Sequence, residues 1–156
     1  MLVSTRKARM DDTLAIAQIH RNAFERQRNS ETWVSATLAA EPRFYVFVLE
    51  VDSKVAGYIF WAQKSGFRPD PVLELDQIAL RNAYRGKGHA ETLIRESLEM
   101  VESELQHTGQ ALKAILVSTR YDNKAQRLYE KALGVRVVAT IGDLYSAAEV
   151  IMLHKR

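Results

Sequence analysis

Apolar positions along this chain switch between two periods, and the switching sketches an α/β order. Leu2 to Arg9 reads as a first strand. Met10-Asp11-Asp12-Thr13 then opens a helix, because acidic residues favour the positive end of a helix dipole and can cap its free N–H groups. Ile16, Ile19, Ala23 and Phe24 recur at helical spacing as far as about Arg26, with His20 beside the stripe as a packing or surface histidine. Ser30 is placed to cap a short helix from Glu31 to Ala40 whose buried side is Trp33, Val34, Thr37 and Leu38, and Pro42 stops it. Phe44 to Val51 and Lys54 to Gln63 predict an antiparallel hairpin turning at Asp52-Ser53. Tyr45, Tyr58, Phe60, Trp61 and Phe67 crowd this region, as core packing or as the lining of a pocket.

After a loop from Lys64 to Pro71, Val72 to Leu80 reads as a strand. Gly88 to His107 follows as a helix, with Leu93, Ile94, Ser97, Leu98, Val101 and Leu105 at i, i+3, i+4, i+7 spacing, closed by Gly109. Ala111 to Thr119 is a further aliphatic strand. A strand, a long helix and a strand in succession predict a right-handed parallel crossover. Asp122 or Asn123 caps a helix through Ala132 that Gly134 ends, and Val135 to Thr140 and Ser146 to His154 form the last two strands. The expectation is a mixed α/β (α+β) fold, with a twisted central sheet of about seven strands and four helices in the order β-α-α-β-β-β-α-β-α-β-β.

The chemistry concentrates where the strand ending at Leu80 empties into Arg81-Asn82-Ala83-Tyr84-Arg85-Gly86-Lys87-Gly88-His89-Ala90. Gly86 and Gly88 permit backbone angles closed to other residues, so successive N–H groups can face one centre at a helix start. Arg85 and Lys87 add full charges, which suits a diphosphate better than a single carboxylate. The loop lacks the third glycine of a dinucleotide fingerprint, and no Gly-Lys-Ser/Thr makes it a P-loop.

Arg85-x-x-Gly88-x-Ala90 resembles the acyl-CoA pyrophosphate loop of the GNAT superfamily of N-acyltransferases, Gln/Arg-x-x-Gly-x-Gly/Ala. Asp122-Asn123-Lys124-Ala125-Gln126-Arg127-Leu128-Tyr129-Glu130-Lys131 resembles the same family's second cofactor segment, Asn-x-x-Ala-x-x-x-Tyr-x-Lys. The element order is that of the family too. The resemblance implies acetyl-CoA as cosubstrate, held by Arg85, Gly86, Lys87, Gly88, His89 and Ala90, with Ile78, Ala79 and Leu80 beside the pantetheine arm and Asn123 as a further contact. It also implies that the strands Glu74 to Leu80 and Leu112 to Thr119 splay to admit that arm, and that a backbone N–H near Ala79 meets the oxyanion. Counting back from Arg85 puts Glu74 where some members carry a catalytic base. Alternation sets Glu74, Asp76 and Ile78 on one strand face, with Asp76 as the fallback base. Glu74 otherwise forms a structural ion pair, or water chains take the proton. Tyr129 is the candidate acid, or else a core aromatic. The second motif departs twice from the pattern: Asp122 stands in the asparagine slot, and one additional residue precedes Gly134, which shifts the helix end or puts a bulge in the next strand.

The expected reaction is acetyl transfer to a primary amine of a small molecule or peptide, and the alternative is a non-catalytic acyl-CoA-binding module of the same fold. A chain of 156 residues is one typical domain, 1-156. Net charge is +3, with no basic run interleaved with aromatics, so nucleic acid is not an expected partner. Four histidines without ligand spacing and the absence of cysteine give no metal site. No apolar run suits a signal peptide or membrane span, and a cytoplasmic protein without membrane contact is expected. Homodimer formation through sheet edges or the C-terminal strands is common in the family.

Overall fold

The computed structural model describes residues Met1–Arg156. β1 (Val3–Lys7) leads through a 3₁₀ turn at Met10–Asp12 into α1 (Thr13–Ala23), and α2 (Ser30–Leu38) follows. β2 (Phe44–Val51), β3 (Lys54–Lys64) and β4 (Val72–Leu80) form a meander, then α3 (His89–His107), β5 (Ala114–Arg120), α4 (Gln126–Leu133), β6 (Arg136–Ile141) and β7 (Glu149–Lys155) complete the chain. One sheet takes all seven strands in the order β1-β2-β3-β4-β5-β7-β6. Only β4 and β5 run parallel, joined by the α3 crossover.

Two apolar clusters cover the two faces. On one, α3 and α4 lay Leu93, Ile94, Val101, Leu105 and Leu133 against Phe47, Leu49, Trp61 and Leu73. On the other, α1 and α2 press Ile16, Ile19 and Val34 on Val46, Val48, Tyr58 and Phe60. Fully buried Trp61 keeps its indole N–H satisfied by donating to the Ser97 hydroxyl of α3 at 2.8 Å. That bond spares the core an orphaned donor costing about 1–3 kcal/mol.

Several expectations shift. α1 begins later than its acidic start signal because Asp12 is committed elsewhere: its carboxylate accepts from the Arg6 guanidinium at 2.8 and 2.9 Å and from the Arg9 N–H at 2.7 Å. That guanidinium holds the Asp12 carboxyl below its ordinary range. Ser30 does not cap α2. Asn29 occupies the cap position at φ +60°, and buried Ser30 instead meets His20. Trp33 is 68% exposed, and Phe67 is 98% exposed, so neither belongs to the core.

The largest correction concerns β4. Its ladder with β3 pairs Phe60 with Gln77 but Trp61 with Leu75, so Asp76 is the extra residue of a β-bulge. Alternation therefore reverses across it. Leu73, Leu75, Ile78 and Leu80 all belong to the α3 side, whereas Ala79 packs on the α1–α2 side, and Glu74 does not share a face with Ile78. The sequence carries a trace of the bulge, because the apolar phase of Leu73 and Leu75 resumes one position late at Ile78 and Leu80, across the adjacent polar pair Asp76-Gln77.

Candidate active site

The loop after β4 has the geometry of a donor cradle. Gly86 and Gly88 sit at φ +73° and +82°, both left-handed, and a Cβ added at either meets nothing within 4 Å. Gly88 caps α3. The N–H groups from Gly86 through Glu91 donate to no acceptor within the chain. Arg85 is anchored by its Nε, which donates to the Leu80 carbonyl at 3.2 Å, and Lys87 is exposed. The His89 side chain turns away: it is buried beside Tyr84, its Nε2 has no partner, and only its backbone belongs to the cradle. Ala90 is half-buried on the cleft wall. These residues fit a pyrophosphate, because open space surrounds unpaired donors at a helix start.

From the cradle a cleft of about 510 Å³ runs into the sheet. It exists because the parallel pairing of β4 with β5 stops after Glu74 and Leu116, so the strands part from Leu75 and Val117 onward. Ile78, Ala79 and Leu80 line it on one side, and Val117, Ser118 and Thr119 on the other. One edge of β4 is thereby left without a partner strand. Asn123 reaches the rim, but both ends of its amide are occupied: Nδ2 donates to the Thr119 hydroxyl at 2.8 Å, and Oδ1 accepts from the Ala125 N–H at 2.9 Å. α4 accordingly starts at Gln126. Tyr129, 6% exposed, lies in the cleft wall with its phenol pushed up by burial. Gly134 closes α4 at φ +71°, and β6 carries a register shift between Val137 and Ala139.

The two carboxylates of β4 part company. Glu74 lies 3.7 Å from the Lys64 ammonium and lines no cleft of consequence, although burial pushes its carboxyl up against the opposing Lys64, and Asp76 adds to the rise. Asp76 on the bulge lines the cleft beside the cradle and a second one, and burial raises its carboxyl too, with Lys64 opposing.

That second cleft, about 550 Å³, lies between α2 and the sheet. A hydrogen-bonded chain separates the two. Ser30 Oγ meets His20 Nδ1 at 2.7 Å, His20 Nε2 meets Gln27 Oε1 at 2.7 Å, Gln77 Nε2 donates to Gln27 Oε1 at 3.3 Å, and the Tyr58 hydroxyl donates to Gln77 Oε1 at 2.7 Å. Sequence reasoning missed Gln27 and Gln77, which sit in different elements with no spacing relation. A proton on His20 Nε2 lets that nitrogen donate to Gln27 Oε1, which also accepts from Gln77.

A mixed sheet that parts beside a glycine loop at a helix start defines a protein of the acyltransferase class. The chain belongs to the acetyltransferase (GNAT) family, whose model matches residues 13–135. It is similar in fold to the ribosomal-protein-S18-alanine N-acetyltransferase of Escherichia coli, at 21% identity and TM-score 0.75, over 99% of this chain and 94% of that one. Arabidopsis thaliana NAA60 in complex with acetyl-CoA matches at 15% identity and TM-score 0.78, over 99% and 98%. The ribosomal-protein-alanine N-acetyltransferase of Brucella melitensis matches at 19% and 0.74 over the full length of both chains. No protein of curated function matches the sequence. No helix is long and apolar enough to cross a membrane.

Proposed function

We propose that the whole chain is one acetyltransferase domain that moves an acetyl group from acetyl-CoA to the primary amine of a small molecule or peptide. The observation that carries this reading is the set of unpaired N–H groups from Gly86 to Glu91 opening onto the gap between β4 and β5. Gly86, Lys87, Gly88, His89 and Ala90 hold the pyrophosphate through their backbone, with Arg85 and Lys87 neutralising it. The free edge of β4 at Ile78, Ala79 and Leu80 hydrogen-bonds the pantetheine amides as an adjoining strand would. Asn123 acts indirectly, by fixing the turn that delivers α4.

The demands on the remaining residues can be ranked. A lysine-like amine of pKa ~10.4 is about 4.6 kcal/mol short of its neutral form at pH 7, whereas a thiolate with conjugate pKa ~8.5 leaves with little help. Removing the amine's proton is the larger task. Asp76, the carboxylate that reaches both clefts, carries it, with burial raising its affinity for a proton. The ammonium gives one proton to the carboxylate and the neutral nitrogen bonds to the carbonyl carbon, the backbone N–H near Ala79 steadies the developing oxyanion, and the carbon–sulfur bond breaks as the Tyr129 phenol protonates sulfur and recovers its proton from the nitrogen.

The test is paired. Acetyl-CoA at 100 times its Kd should add about 2.7 kcal/mol to stability, and thiol release should depend on an added amine. Tyr129→Phe should lower kcat about tenfold with KM unchanged. Heat stabilisation without turnover on a broad amine panel, untouched by Tyr129→Phe, would mark a non-catalytic acyl-CoA-binding module instead.

A further inference from the structure

Charge and shape distinguish the second cleft from the first. Its apolar lining comes from Phe60 and Phe44 of the sheet and from Val34 and Trp33 of α2. Trp33 is 68% exposed on a helix that had buried positions to spare, so a large indole stands uncovered at the mouth. Asp76 is the sole carboxylate on these walls, and it sits at the end shared with the cofactor-side cleft. Arg28 is the sole full cation, and no ion pair in the chain occupies it.

We propose that the acceptor is a small primary amine with one positive charge on an apolar, ring-bearing body, seated between α2 and the sheet with its nitrogen at Asp76. This rests on the acetyl-transfer reading above. The ammonium gives one proton to Asp76, the nitrogen–carbon bond forms as the carbon–sulfur bond breaks, and the second nitrogen proton restores the one that the Tyr129 phenol gives to sulfur, so coenzyme A departs as its thiol.

Three features favour this class. A volume of about 550 Å³ suits a small ligand. A polyamine or aminoglycoside would meet one carboxylate and the repulsion of Arg28, whereas polycation sites need several acidic groups. An extended peptide draws affinity from free main-chain edges, but α2 and the sheet face spend their backbone groups internally and offer side chains. The Gln27–Gln77 bridge then sets orientation. Both amides line both clefts, held by His20 and Tyr58, so the partition beside Asp76 passes the narrow amine end and keeps the ring on the Trp33 side.

The experiment measures thiol release from acetyl-CoA with 2-phenylethylamine, spermidine, kanamycin and a peptide with a free N-terminal alanine, alongside thermal shifts with acetyl-CoA alone. The expected result is a kcat/KM for 2-phenylethylamine at least about tenfold above the other three. Trp33→Ala, at an exposed position whose truncation leaves the core intact, should raise KM for 2-phenylethylamine about tenfold while kcat and the acetyl-CoA thermal shift hold. Preference for the polyamine, the aminoglycoside or the peptide overturns the proposal, as does an unchanged KM in Trp33→Ala. If acetyl-CoA still raises the melting temperature in those cases, only the acceptor class has failed. If acetyl-CoA gives no shift, the acetyl-transfer reading falls as well.

Discussion

The two clefts that meet at Asp76 are built from different parts of the polypeptide. The cleft beside the glycine loop is made of backbone: unpaired N–H groups at Gly86 to Glu91, a free edge of β4, and a gap left where β4 and β5 stop pairing. The cleft under α2 is made of side chains brought from α1, the following loop, α2, β2, β3 and β4. A backbone site constrains its residues to be small or glycine at set spacings, because the main chain itself must approach the ligand. A side-chain site imposes no spacing, because any element facing the cavity can supply a group. One cleft can therefore hold the same cofactor across a family while the other is free to differ.

The sharpest break of this contrast is Gly88→Glu. Residue 88 stands at φ +82° with open space where a Cβ would project, so the new side chain puts a carboxylate among donors that suit phosphate. Loss of acetyl-CoA affinity by more than about 100-fold is expected, erasing the roughly 2.7 kcal/mol of ligand stabilisation, while left-handed strain costs the free protein only about 1–2 kcal/mol. Isothermal titration and a thermal scan separate the two. Retained binding would mean that the cradle is not the phosphate site.

The next effect concerns the junction. Asp76→Asn should lower kcat/KM about 100-fold without changing acetyl-CoA affinity, whereas Glu74→Gln should cost less than about tenfold, since Glu74 faces Lys64 and not the clefts. The pH profile gives a second reading. Burial raises the Asp76 carboxyl, so kcat/KM should climb with pH as that proton is lost, at a pH above the ordinary carboxylate range, and Asp76→Asn should flatten this limb. The reverse ranking of the two variants would assign the base to Glu74.

How much of this was readable from sequence follows the same division. The order of elements along the chain and α3 were plain because apolar spacing is set by which face is buried, and α3 presents an unbroken stripe from Leu93 to Leu105. The cradle residues were readable because Gly86 and Gly88 have few other reasons to sit beside Arg85 and Lys87. The bulge at Asp76 went unread although Leu73, Leu75, Ile78 and Leu80 slip by one position across the polar pair Asp76-Gln77, because strict alternation was carried through that pair. Trp33 misled in a different way: its spacing is that of a buried helix face, but α2 turns Val34 and Leu38 onto the sheet cluster and leaves the indole exposed at the second cleft. The chain from Ser30 through His20, Gln27 and Gln77 to Tyr58 joins residues whose proximity only the folded chain creates.

The smallest effect tests whether the junction is tuned for chemistry at the expense of stability. Burial raises the Asp76 carboxyl in the fold, so the folded state binds that proton more tightly than the unfolded chain does. The resulting stabilisation is complete below the unfolded pKa of ~3.9 and is lost as pH rises through the higher folded value, which leaves the ionised carboxylate a burden at neutral pH. Asp76→Asn removes that burden. Its melting temperature should exceed the parent's by no more than about 1–2 °C at pH 7.5, because Asp76 is exposed to solvent and only its cleft-facing side is screened from it, and the gain should vanish near pH 4. A neutral substitution in the backbone-built cleft, such as Gly88→Ala, has no such pH dependence and should lower the melting temperature equally at both values. Calorimetry at the two pH values decides the matter: a lower melting temperature for Asp76→Asn at pH 7.5 would make Asp76 a stabilising residue and remove the physical basis for its raised proton affinity.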